Sequence, residues 1–331
     1  MTAGQTPQFA VIGEALVDLV DPGDDTACTA RAGGSPLNVA VGLARLDQDV
    51  AFVGRFSTDP FGTVLRNHAT RSGVDTSLAV EGRQPSTIAL VRLEDGVARY
   101  EFSIDATVDF QWADSELAAL PPTVRWVHFG SLASWMAPGD AAIARRVAAL
   151  HAAGSVILSY DPNVRPPLQP EAASARDQVE RALRYAHLVK ASAEDVAWLY
   201  GAQSPESVAQ RWLAAGPGLV VITHGGEGAT AFVPDAAPLD RPVYPAAVVD
   251  TVGAGDAFTA GLLDALGRRN ISAPHLLAGL RNPAMLAAVL DEAALVAALT
   301  CTRAGANPPW RSEVEPLRVA LRSVDGPDAG R

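Results

Sequence analysis

Residues 250–261, Asp-Thr-Val-Gly-Ala-Gly-Asp-Ala-Phe-Thr-Ala-Gly, constrain the fold more than any other stretch of this chain. They follow a run, Pro242 to Val249, that reads as a strand. They lead into Phe258, Leu262, Leu263 and Leu266 at helical spacing, so Gly253-Ala254-Gly255 is expected to open a helix. The first amides of a helix lack intrahelical acceptors and the dipole there is positive, while glycines leave room for a phosphate. Asp256 falls in that first turn. A phosphate would repel its carboxylate, so Asp256 either caps the helix or takes a proton from a substrate hydroxyl.

The whole string closely resembles the C-terminal signature of the ribokinase-like (phosphofructokinase-B type) carbohydrate kinases, with each defining position matched. The resemblance extends from about Phe9 to Pro309. It implies a doubly wound, mostly parallel α/β sheet flanked by helices, with a small β-sheet lid over a sugar. It also implies that Asp256 is the catalytic base, that the Gly253, Ala254 and Gly255 amides form an anion hole, and that ATP and Mg2+ are the cofactors.

Composition narrows the alternatives. At 331 residues and 48% hydrophobic the chain can bury a large core and exceeds the usual size of one compact unit, so a main part with a smaller appendage is expected. The resemblance implies that this is a single kinase domain with a lid built from segments of about 16–32 and 86–110. A net charge of −11 disfavours nucleic acid or an anionic membrane as partner. Cys28 and Cys301 stand apart with no histidine cluster, and Met1 to Gln8 has neither a charged nor an apolar leader region. A cytoplasmic location and no membrane span are expected, Asp291 and Glu292 interrupting the Ala-rich stretch from Ala284 to Thr300. Lys190 is the only lysine, so there is no Gly-x-x-x-x-Gly-Lys phosphate loop, and no Gly-x-Gly-x-x-Gly turn follows a strand.

Further motifs line up in chain order. After a strand at Phe9 to Ile12, Asp18 interrupts apolar residues, as a turn residue would or as a ligand for sugar hydroxyls. Gly33-Gly34 permits close backbone approach, Ser35 is a candidate N-cap before Pro36, and Asn38 offers a donor and an acceptor one turn on. This resembles the family's N-terminal signature, except that Asp47 and Ser57 stand where glycine is common. Thr87 to Leu93, Glu94-Asp95-Gly96 and Ala98 to Ile104 read as a hairpin, either part of the lid or an excursion of the main sheet. Asp161-Pro162-Asn163-Val164-Arg165-Pro166 follows a strand and is similar to a motif of fructokinases and 2-keto-3-deoxygluconate kinases. There the resemblance puts Asn163 on the sugar and Arg165 near the transferring phosphoryl group; otherwise Arg165 is a surface ion-pairing residue.

Lys190 can reach a phosphate or a carboxylate. Ser192, a candidate N-cap, and Asp195 occupy places where the family has Asn and Glu acting on magnesium and phosphates, with Glu194 as a substitute. Thr223, Gly225, Gly226 and Gly228 resemble the nucleotide loop, although a hairpin needs the same glycines. Asp250, with carbonyls of Val252, Thr300, Arg303 and Gly305, matches the family's monovalent-cation loop, so K+ is implied, with Pro309 in place of a common Ser ligand.

The expected activity is phosphorylation of a small sugar, fructose first, with 2-keto-3-deoxygluconate or ribose as alternatives and a homodimer through the lid as the expected assembly. A silent sugar sensor with this fold would not need the intact Asp256. A nucleotide-dependent oxidoreductase would need its own glycine fingerprint.

Overall fold

Short, continuously apolar strands alternate here with amphipathic helices, a pattern that buries a parallel sheet on both faces. A computed structural model describes residues 7–21, 28–94, 97–117, 119–169, 171–271 and 273–324. Its strands are β1 (Phe9–Ile12), β2 (Leu16–Asp21), β3 (Thr29–Gly33), β4 (Val50–Val53), β5 (Arg55–Ser57), β6 (Val80–Gly82) and β7 (Ile88–Glu94). They continue as β8 (Val97–Ser103), β9 (Trp126–Gly130), β10 (Ile157–Asp161), β11 (Leu188–Ser192), β12 (Leu219–Thr223), β13 (Ala229–Phe232) and β14 (Leu239–Arg241). The helices are α1 (Ser35–Arg45), α2 (Pro60–Arg71), α3 (Asp140–Ala153), α4 (Ala172–Leu183) and α5 (Ala193–Tyr200). After them come α6 (Pro205–Ala215), α7 (Ala254–Gly267), α8 (Leu276–Leu280), α9 (Pro283–Cys301) and α10 (Arg311–Val324).

The main sheet runs β14-β13-β12-β11-β10-β9-β1-β4, parallel from β12 to β4 with an antiparallel β13–β14 edge. Period-two alternation splits its side chains between two cores. Phe9, Val11, Trp126, Ile157, Leu188 and Val221 pack with α1, α7 and α9. Ala10, Val127, Leu158, Tyr160, Val189 and Ile222 pack with α3 to α6, where Trp212 is fully buried.

The central helix pair is α7 and α9. A Cβ on Gly261 would sit 2.9 Å from the Ala293 Cα, so the last glycine of the 250–261 string serves helix packing rather than chemistry. α9 is long and apolar enough to span a membrane, yet it is a core helix against α7, with Glu292 paired to Arg268 and Arg269 and Asp291 to Arg241.

A separate sheet, β3-β2-β7-β8, stands beside the main one, with β2 and β7 parallel and the other pairs antiparallel. The expected hairpin is β7–β8; its turn at Asp95-Gly96, residues 22–27 of the segment 16–32, and the tail from Asp325 lie outside the described residues.

Two local expectations are corrected. Pro242 to Val249 joins no sheet, since Pro242 and Pro245 have no amide to donate to a ladder; instead the Val249 and Asp250 amides both bond the Cys301 carbonyl, at 2.8 and 3.2 Å. Ser35 is not the N-cap of α1: Gly34 is, with φ of 99°. Asp47, standing where glycine is common, takes φ of 57°, a left-handed conformation that aspartate tolerates better than most residues.

Candidate active site

Asp256 sits in the first turn of α7, where Gly253 takes a left-handed φ of 77° to begin the helix. Its carboxylate does not cap that helix. Oδ1 accepts from Ser35 Oγ at 2.6 Å and Oδ2 from Asn38 Nδ2 at 2.8 Å, across more than two hundred residues. The freed Ser35 hydroxyl is the part of this arrangement that sequence reasoning missed. The Gly255 and Asp256 amides have no acceptor among the described residues, whereas the Ala254 amide, expected in the anion hole, is taken by the Thr251 carbonyl at 3.1 Å, and Ala257 bonds to the Gly253 carbonyl. A carboxylate and two open amides thus share one helix start, the arrangement needed to take a proton while holding an anion. Burial pushes the Asp256 carboxyl upward, opposed by its Ser35 and Asn38 hydrogen bonds and by the Lys190 charge.

Lys190 lies under that helix start, its Nζ 2.9 Å from where a Gly255 Cβ would be. It donates to Asp161 Oδ2 at 2.9 Å, and both side chains are buried. Burial pulls the ammonium down, but Asp161, Asp256 and Asp195 more than offset this and hold it above its usual value. Lys190 therefore serves a carboxylate. Ser192 is the expected N-cap and makes a capping box with Asp195. Asp195 Oδ1 also accepts the Val164 amide at 3.0 Å, so it fixes the Asp161–Pro166 loop. Glu194 is exposed.

In that loop Asn163 has a φ of 40° and donates to Ser131 Oγ at 3.1 Å. Arg165 donates to Asn163 Oδ1 at 2.8 Å and to the Val164 carbonyl at 3.0 Å, with no carboxylate partner among the described residues, unlike a surface ion pair. Asp18 stands mid-strand on β2, opposite Arg31 and Ala89. Burial pushes its carboxyl up to about 6, opposed by Arg165. A Cβ on Gly33 would lie 2.4 Å from Asp18 Oδ2, and one on Gly34 would meet the Glu14 carbonyl at 2.8 Å, so both glycines make room at this corner. Glu14, which sequence reasoning passed over, is buried and accepts the Ala133 amide at 3.0 Å.

A cavity of about 410 Å³ borders the α7 start at Ala254 and Gly255. It gathers Thr223, Gly225, Gly226, Gly228 and Gly255, and its apolar wall comes from Tyr244, Val248, Leu290 and Ala294. The Gly-rich turn is at once a hairpin turn between β12 and β13 and a cavity edge. The wall residues were invisible in the sequence because an apolar residue reads alike in a core and in a slot.

The loop after α9 folds back onto Asp250, whose Oδ1 accepts the Val252 amide at 3.0 Å and Oδ2 the Gly305 amide at 2.7 Å. Each carboxylate oxygen keeps a lone pair, although the Thr300 carbonyl takes the Arg303 amide at 3.1 Å. No group of three or more His, Cys, Asp or Glu among the described residues could hold a metal ion, so a cation here would rest on one carboxylate and carbonyls, which suits a monovalent ion.

Comparisons with known proteins bear on the whole chain. A family profile described as pfkB family carbohydrate kinase matches residues 6–313. A fructokinase of Rhizobium leguminosarum bv. trifolii is 34% identical over 278 residues, 82% of this chain and 84% of that one. The fructokinase of Xylella fastidiosa with bound ATP has a TM-score of 0.87 at 28% identity, over 95% of this chain and 98% of that one. A double mutant of the Vibrio cholerae O395 fructokinase, holding fructose, ADP and a potassium ion, has a TM-score of 0.82 at 27% identity, over 95% and 99% of the two chains.

Proposed function

Because the chain belongs to the pfkB family of carbohydrate kinases, we propose that it is an ATP-dependent fructokinase, transferring the γ-phosphoryl group of ATP to a fructose hydroxyl. The observation that carries this reading is Asp256, held by Ser35 and Asn38 beside the open Gly255 and Asp256 amides. Asp256 takes the hydroxyl proton. The helix-start amides and Arg165 stabilise charge on the transferring group, and Asp18, Gly33, Gly34, Asn38 and Asn163 line the sugar. The cavity beside Thr223 and Gly225 to Gly228 takes the nucleotide, its apolar wall facing the base. Mg2+, bound together with ATP, would supply positive charge against the phosphates. Lys190, Ser192 and Asp195 act by fixing the floor under the α7 start and the Arg165 loop rather than by reaching a phosphate.

The reading includes one kinase domain whose segments 16–32 and 86–110 close over the sugar, homodimerisation through that lid, and a cytoplasmic setting.

Two results are expected. Asp18 accepts sugar hydroxyls best when ionised, and its carboxyl is pushed up to about 6, so the KM for fructose rises as pH falls through that value. Asp18→Asn should remove this acid limb, and an unchanged limb in that variant would assign it elsewhere. Replacing potassium with a bulky organic cation should depress turnover if Asp250 and the 300–305 loop hold a monovalent ion. Turnover indifferent to the swap would remove that site.

The reading is tested with ATP and a panel of fructose, ribose and 2-keto-3-deoxygluconate, following ADP. Fructose should give the highest kcat/KM. A clear preference for another sugar would overturn the substrate, and silence with all three would overturn the kinase.

A further inference from the structure

The strands of the small sheet leave the body at one place, and a buried carboxyl sits there that the proposed reaction does not use. Asp109 lies in a single 3-10 turn, Val108–Phe110, beyond β8, and is fully buried. Its Oδ1 accepts from the amide of Ala15, the residue before β2, at 2.9 Å. Its Oδ2 lies 2.6 Å from Oγ of Thr87, the residue before β7. Thr87 Oγ is 2.7 Å from Thr107 Oγ, and Thr107 Oγ is 2.9 Å from the carbonyl of Ile104, just past β8. The roots of β2, β7 and β8 are thus joined through one chain of oxygens.

That chain has a proton count. The three oxygen–oxygen contacts need three protons, and the two threonines supply two. Ile104 O can only accept, so Thr107 donates to it and Thr87 donates to Thr107. The contact between Thr87 and Asp109 can then be bridged only by a proton on Asp109. With Asp109 ionised, the Thr87 proton turns to the carboxylate, and one of the other contacts becomes lone pair against lone pair.

We propose that Asp109 is a positioning residue for the sugar site: as the neutral acid it donates to Thr87 and fixes the roots of β2 and β7, and as the carboxylate it breaks the chain and loosens the strand that carries Asp18. This rests on the kinase reading only in taking Asp18 as a sugar ligand. Burial raises the Asp109 carboxyl, the Thr87 hydroxyl and the Ala15 and Thr87 amides pull it down, and nearby Glu14 raises it again, leaving it at about 7. The charged groups around the turn are Glu14, Arg165 beyond it, and Arg55, which donates to the Val108 carbonyl and is paired with Glu116. None of these forms an ion pair with Asp109. Ionisation of Asp109 on raising pH should therefore weaken sugar binding, opposite in sign to ionisation of Asp18.

Asp109→Asn tests this directly, since its carboxamide donates to Thr87 and accepts from Ala15 at every pH. Fructose KM and kcat, and hydrogen exchange of residues 15–20 and 87–90, are measured across neutral pH for wild type and variant at matched pH, so that intrinsic exchange cancels. In wild type, KM should rise roughly three- to tenfold as pH climbs through about 7, with kcat much less affected and exchange of both segments accelerated. In Asp109→Asn both should stay flat. Thr107→Val frees Thr87 to donate to the carboxylate without conflict, and should move the wild-type step to lower pH. Wild-type pH dependence of exchange persisting in Asp109→Asn, or a step unmoved by Thr107→Val, would overturn the proposal. If fructose is no substrate, the KM arm falls with the fructokinase reading, and the exchange arm still decides the role of Asp109.

Discussion

Asp256→Asn is expected to lower kcat about 10²–10⁴-fold while ATP binding persists. The carboxamide is nearly the same size and still accepts from Ser35, and Asn38 can turn its own amide to meet the new NH2 group. Fold and anion hole are therefore kept, and what is lost is affinity for the hydroxyl proton at the moment of transfer. A purely structural carboxylate would give the reverse pattern, a lowered melting temperature with turnover per folded molecule intact. Single-turnover rates alongside melting curves separate the two.

The second large effect is on stability. Lys190→Met removes the cation that faces Asp161 and stands close to Asp195 and Asp256 under the α7 start. Breaking a buried pair on one side leaves an uncompensated charge and costs about 3–5 kcal/mol. Chemical denaturation should show that loss in Lys190→Met. The double variant Lys190→Met/Asp161→Asn should recover much of it, because no charge is then stranded on that pair. The carboxamide introduced there still has an oxygen for the Asn163 amide, which Asp161 accepts at 3.1 Å. A single variant within about 1 kcal/mol of wild type would mean that solvent reaches the pair.

What could be read from the sequence follows from range. The α7 start is legible because Gly253, Gly255 and Asp256 act within one turn, and the β7–β8 hairpin and the Ser192 cap are legible for the same reason. The partners of Asp256 were half legible. Asn38 reads as a site residue, but Ser35 reads as a cap, because nothing local says that its hydroxyl meets a carboxylate brought in from α7. Lys190 and Asp161 come from neighbouring strands whose order only the folded sheet reveals. Asp109 gave no signal at all. Its partners lie at the ends of three strands, and an aspartate between Val108 and Phe110 reads as a turn residue. The strand expected over Pro242 to Val249 from its apolar content does not form, because Pro242 and Pro245 have no amide to give to a ladder.

The most direct test of the account is product stoichiometry by phosphorus NMR, with the protein, ATP, Mg2+ and fructose in one tube. The account predicts one new phosphomonoester of fructose for each ADP formed, at a rate that collapses in Asp256→Asn while ATP binding remains. ADP appearing with inorganic phosphate alone, or a phosphomonoester formed as fast by Asp256→Asn, would contradict it.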